Sequence, residues 1–115
     1  MSNYEKLMVW QRSIDMAEHI YDITNNDLFR QDFGLRDQLR RSVVSISSNI
    51  AEGDELGTDK QAVRHFYISK GSTAELSTQL IIAKRIGYLA DEYSIGITEC
   101  RELSSMLMGL IKSRI

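Results

Sequence analysis

Apolar residues recur along this chain at alternating spacings of three and four, the period of a helix that buries one face. In the first stretch Leu7, Trp10, Ile14, Ala17 and Tyr21 form one stripe, and Val9, Ser13, Met16, Ile20 and Ile23 form a second beside it. Together they cover roughly 200° of the helix, against the ~100° arc that one core face needs. That surplus predicts a second buried surface, either a contact between subunits or an unusually deep core position. The helix is expected over about residues 5–24, ended by Asn25-Asn26-Asp27, whose short side chains compete for backbone hydrogen bonds.

Asp32 is the predicted cap of a second helix over about residues 34–53, with Leu35, Leu39, Val43, Ile46 and Ile50 as its seam. Ser45, Ser47, Ser48 and Asn49 are poor helix formers whose side chains can bond back to helix carbonyls; their small size allows a close helix–helix approach. The stretch from Gly53 to Gly57 reads as a loop. Thr58 followed by Gln61 forms a capping box that opens a third helix over about 59–87, with Val63, Phe66, Tyr67, Ala74, Leu80 and Ile81 on a helical period. Gly87 suits the left-handed position after a helix end, with Tyr88 packing back. Asp91 is the predicted cap of a fourth helix over about 91–113. Its seam is Tyr93, Ile97, Cys100, Leu103, Leu107 and Leu110, flanked by Ser104, Met108, Ile111 and Ile115. Four helices with short connections predict an all-α fold, an antiparallel up-down-up-down four-helix bundle occupying residues 1–115 as a single domain.

Composition agrees with that outline. The chain has 115 residues and no proline, which suits helices joined by short loops. No apolar run approaches the roughly 18 residues of a membrane span. The first residues, Met1-Ser2-Asn3-Tyr4-Glu5, lack the basic and apolar regions of a secretory leader. The single cysteine, Cys100, can form no internal disulfide, which fits a reducing compartment. These readings predict a cytoplasmic protein without a membrane partner.

The formal net charge of −2 argues against a protein that coats nucleic acid through its overall field. Charge is uneven, however. Residues 58–89 hold five basic side chains (Lys60, Arg64, Lys70, Lys84, Arg85) against two acidic ones (Asp59, Glu75), whereas the rest of the chain is net acidic. A second basic group, Arg36, Arg40 and Arg41, lies on the second helix. Arginine suits phosphate because its planar donors form a fork. The alternative for these residues is helix stabilisation, through Arg36 with Asp32 and Arg40 with Asp37, or contact between subunits.

Little points to catalysis. His19 and His65 stand in no metal-ligand spacing, and there is neither a paired Glu-x-x-His motif nor a glycine-rich phosphate loop. Arg12 and His19, seven apart on one helix face, resemble the arginine–histidine motif of ribonuclease-like helical HEPN domains. Their position at the margin of the polar arc equally suits solvated side chains. Cys100 on a helix seam reads as a buried, inert thiol. Trp10, Phe66 and Tyr67 read as core anchors. No catalytic residue, metal ligand or cofactor is assigned.

Several stretches bear a family likeness. They are Lys6-Leu7 with Val9-Trp10-Gln11, Gly34-Leu35, the run Leu39-Arg40-Arg41-Ser42-Val43-Val44-Ser45-Ile46-Ser47-Ser48-Asn49-Ile50-Ala51-Glu52-Gly53, and the run from Phe66 through Leu89. In order and spacing the chain resembles the four-helix bundle proteins encoded by intervening sequences of 23S ribosomal RNA genes. A related branch comprises the accessory variability proteins of diversity-generating retroelements. The resemblance implies a four-helix bundle without established chemistry. Through that branch it further implies assembly into a pentamer and a basic surface that engages nucleic acid or a reverse transcriptase.

Three positions depart from the family pattern. Ser47 and Arg30 stand where relatives commonly have proline, and Asp54-Glu55-Leu56-Gly57-Thr58-Asp59 is acidic where relatives often carry a basic cluster. The expectation is therefore a non-enzymatic, homo-oligomeric binding or scaffolding module. It engages RNA or an RNA-handling protein through Arg36, Arg40, Arg41, Arg64 and Lys70. The alternative is a purely protein-binding or structural homo-oligomer.

Overall fold

A computed structural model describes residues 3–115; the part of the leader reading that concerns Met1 and Ser2 lies outside the described residues. A 3-10 turn, Asn3–Lys6, precedes five helices: α1 (Met8–Ile23), α2 (Asp27–Arg30), α3 (Phe33–Glu55), α4 (Asp59–Arg85) and α5 (Tyr93–Lys112). Among the described residues there is no strand.

The four long helices close a ring in which α1 packs on α3 and α5, and α4 packs on α3 and α5. Neighbours run antiparallel. Across α3 and α4, Ser42 meets Gln79, Ser45 meets Ser72, Ile46 meets Ser69 and Asn49 meets His65, one number rising as the other falls. The up-down-up-down bundle is as expected.

The helix ends follow local chemistry. The Asp32 side chain accepts from Leu35 N, and Thr58 accepts from Gln61 N, so both expected caps form. After α4, Gly87 N donates to the Lys84 carbonyl and Tyr88 N to the Ala83 carbonyl, with Gly87 at φ +86°. That pair of bonds is a Schellman ending, which needs a residue without Cβ strain at the left-handed position. Tyr88 then folds back edge-on against Phe29, with ring centroids 5.2 Å apart. Its hydroxyl donates to Asp32 Oδ2 at 3.1 Å, and that hydrogen bond to a carboxylate raises the Tyr88 pKa above its ordinary value.

Three boundaries differ from expectation. Asp91 does not cap α5 with its side chain; the helix starts at Tyr93, and Asp91 contributes only its carbonyl, to the Ser94 backbone and hydroxyl. Residues 27–30 form the extra turn α2, because the Asn26 side chain accepts from Phe29 N and caps it. That turn delivers Phe29 fully into the core. The predicted loop at Gly53 is helical as far as Glu55, with Gly57 at φ +85° making the turn. Gly53 is instead a point of close approach: a Cβ there would sit 2.8 Å from Phe66 Cε1 and 3.1 Å from the Ala62 carbonyl oxygen.

Core positions also shift. On α1 the buried stripe is Val9, Ser13, Met16 and Ile20, while Leu7, Trp10, Ile14 and Ala17 are half-buried beside it and Tyr21 is exposed. On α4 the expected Tyr67, Ala74 and Ile81 face solvent, and Ser69, Ser72, Thr73 and Gln79 are buried in their place. Hydrogen bonds pair these polar groups across to α3 or back to their own helix, which removes the cost of burying them. Among the described residues no helix is long and apolar enough to cross a membrane.

Candidate nucleic-acid interface

The five cations singled out in the sequence fall into three groups. Arg36 and Arg40 stand one turn apart on α3, Arg40 facing the end of α1. Arg36 lies over the Phe33 ring at 4.7 Å and its Nε is 3.5 Å from Asp37 Oδ1. Arg40 Nε donates to Thr24 Oγ1 at 3.0 Å, and its guanidinium covers the Tyr21 ring at 4.5 Å. The expected pairs Arg36–Asp32 and Arg40–Asp37 do not form. Asp32 is committed to the α3 cap and to the Tyr88 hydroxyl, and Thr24 and Tyr21 hold Arg40 at the α1 side.

Arg41 is the second group. It is exposed, makes no ion pair among the described residues, and lines two clefts. One, about 520 Å³, lies between α1 and α3 and is lined by Tyr21, Asp37, Arg40, Arg41, Val44 and Ser45. The other, about 300 Å³, runs along the α3–α4 seam beside Ser42, Ser72, Glu75 and Gln79.

Arg64 and Lys70 make the third group, on α4. Six positions separate them, which places them about 120° apart around the helix. Arg64 is exposed one position before His65, and His65 faces Asn49 of α3. The structure therefore brings Arg40 and Arg41 together at the α1–α3 cleft, with Arg36 one turn before Arg40, and brings neither Arg64 nor Lys70 to it.

Other charges are already used. Arg12, the partner of His19 in the arginine–histidine spacing, is paired to Glu99 and lies 3.6 Å from Glu102. Two carboxylates on one guanidinium leave it little capacity for phosphate. His19 Nε2 is shielded and has no hydrogen-bond partner among the described residues, in a groove shared with Asp15, Met16, Ile95 and Glu99. Cys100 is buried, and burial raises its thiol pKa, so a reactive thiolate is disfavoured.

Sequence reasoning missed two polar arrangements. Arg114 donates to Asp54 Oδ1 at 2.8 Å, lies 3.7 Å from Asp59, and covers the Phe66 ring at 5.6 Å. It thereby neutralises part of the acidic stretch after Gly53. His65 Nδ1 sits 3.0 Å from Asn49 Oδ1 and 3.3 Å from Glu52 Oε2, tying α4 to α3 near the same end. The i, i+3 spacing of Asn49 and Glu52 was the available signal for the second; nothing local signals the first.

Residues 5–109 match the family model described as 23S rRNA-intervening sequence protein. The chain belongs to that family. A solved structure similar to this bundle comes from a protein of unknown function in the S23 ribosomal protein family of Bacteroides thetaiotaomicron. It superposes with a TM-score of 0.83 at 23% identity, covering 91% of this chain and 99% of that one. At that identity the likeness shows the fold. No curated protein matches the chain.

Proposed function

We propose that this member of the intervening-sequence family is a non-enzymatic, self-associating helical module of the cytoplasm that binds RNA, or a protein that handles RNA. Arg36, Arg40, Arg41, Arg64 and Lys70 would be its phosphate contacts. The observation that carries the reading is Arg41: an exposed guanidinium with no ion pair among the described residues, next to an Arg40 held in place by Thr24 and Tyr21. A preorganised arginine loses less freedom on meeting phosphate than one drawn from solvent. The pairing of Asp54 and Asp59 with Arg114 lessens the repulsion that the acidic stretch would exert on a polyanion.

The test is a titration of the purified protein with structured ribosomal RNA fragments at several salt concentrations. The affinity should fall as salt rises, each phosphate contact adding about 0.7–0.9 to the logarithmic slope. Absence of binding even at low salt, where electrostatic attraction is strongest, would reject the reading.

One observation favours the alternative of a purely protein-binding assembly. Tyr67, Ile68, Ile81 and Ile82 along α4 and Ile86 just after it are all more than two-fifths exposed, an apolar load that a lone bundle leaves uncovered. Sedimentation of the RNA-free protein would report self-association, and a single-chain mass at micromolar concentration would count against both assemblies.

A further inference from the structure

The cleft between α1 and α3 has a chemistry more particular than a basic patch. Its cations are Arg40 and Arg41, and its one carboxylate, Asp37, is already beside Arg36. Ser45 Oγ accepts from Asn49 Nδ2 at 3.0 Å and from Ser72 Oγ at 2.9 Å. Ser72 belongs to α4, so Ser45 Oγ is engaged on the α3–α4 side. Two guanidiniums against one engaged carboxylate weight the polar lining towards donors, as an anion requires.

The rest of the lining is apolar. Tyr21 is 45% exposed and Val44 41% exposed, and both border the cleft. Its volume of about 520 Å³ falls within the ~300–1,000 Å³ typical of small-ligand sites. An A-form duplex would present phosphates to Arg41, but its bases are stacked away inside and would leave such a recess empty. An unstacked nucleotide uses both halves: its phosphate meets guanidinium forks, and its base lies on aromatic and apolar surface.

We propose that the cleft between α1 and α3 receives one unstacked nucleotide of a single-stranded RNA, its phosphate on Arg40 and Arg41 and its base against Tyr21 and Val44. This rests on the RNA reading above and narrows it to an unpaired segment. Arg40 covers one face of the Tyr21 ring, which leaves the other face and the edge to wall the base.

The experiment uses the full chain, isotopically labelled, titrated at low salt with a five-uridine RNA and separately with a blunt RNA duplex. The amides of Tyr21, Arg41, Val44 and Ser45 should shift with the uridine oligomer. Tyr21→Leu should weaken that oligomer about tenfold, the scale of one lost base stack, and weaken the duplex less, through the loosened Arg40 alone. Val44→Glu, at an exposed site that tolerates a polar side chain, should abolish oligomer binding; it is the check if Tyr21→Leu disturbs the fold. Shifts confined to the surroundings of Arg64 and Lys70, unchanged affinity in both variants, or binding of the duplex alone would overturn the cleft assignment while the RNA reading stands. Binding of neither RNA would overturn both.

Discussion

Helix α4 makes two seams of different chemistry. Towards α5, Leu76, Leu80 and Ala83 share one apolar cluster with Cys100, Leu103 and Leu107. Towards α3, whose Leu39, Val43, Ile46 and Ile50 join the same cluster, polar contacts are added: Ser42 with Gln79, Ser45 with Ser72, Ser69 with the Ile46 carbonyl, and Asn49 with His65. Both seams are closely packed, but they are held by different forces. The apolar seam gains from every methylene removed from water. The polar seam gains little per bond, yet it fixes register, because each donor must find its own acceptor. Small side chains also bring α3 and α4 together closely enough that Gly53 has no room for a Cβ.

The contrast can be broken most strongly on the apolar side. Leu103 is fully buried, so Leu103→Ala should cost ~2–5 kcal/mol in urea unfolding. A loss below that range would mean that the α4–α5 seam collapses around the gap. On the polar side Gln79→Ala removes the acceptor of Ser42, which keeps the Leu39 carbonyl as a second partner. The expected loss is about 1 kcal/mol, with two-state unfolding retained. A cost as large as that of Leu103→Ala would erase the distinction between the seams.

A third test uses pH. Burial raises the Cys100 thiol above its ordinary value, so the folded state keeps its proton after the unfolded chain has lost it. The stabilising contribution is full below the ordinary thiol pKa of about 8.5. It declines as pH rises from there towards the raised folded value. Stability measured from pH 7 to 10 should therefore fall, and Cys100→Ala should flatten the fall; an unchanged slope would show that another group is responsible. The smallest effect belongs to the outer face of α4. Tyr67 is 49% exposed, and Tyr67→Lys should change unfolding stability by no more than about 0.5 kcal/mol at a concentration where the chain is a single copy. A larger loss would return Tyr67 to the core where periodicity had placed it.

That last residue shows why one half of the bundle is legible in the sequence and the other is not. On α5 and the first part of α3 the buried residues are chiefly Leu, Val, Ile and Cys, and the apolar period finds them. On α4 the pattern is mixed: Phe66, Leu76 and Leu80 are inside, but so are two serines, a threonine and a glutamine, while Tyr67 and several isoleucines are outside. A reading that equates apolar with buried must rotate that helix, as it did for Tyr67, Ala74 and Ile81. Caps that depend on a local side chain, at Asp32 and Thr58, were readable; the start of α5, which uses no side-chain cap, was not. For the candidate site, the sequence supplied the arginines but not their partners. Tyr21 and Thr24 lie 19 and 16 positions from Arg40, and only the fold brings α1 to that flank of α3.

The central functional claim is that Arg41 and Arg64, free of ion pairs among the described residues, meet RNA phosphates. The direct measurement is the salt dependence of binding to a structured ribosomal RNA fragment by the wild-type chain and by the Arg41→Gln/Arg64→Gln double variant. The account predicts weaker binding for every RNA sequence tried and a slope reduced by about 1.4–1.8, two phosphate contacts' worth. Identical slopes for the two proteins would contradict it.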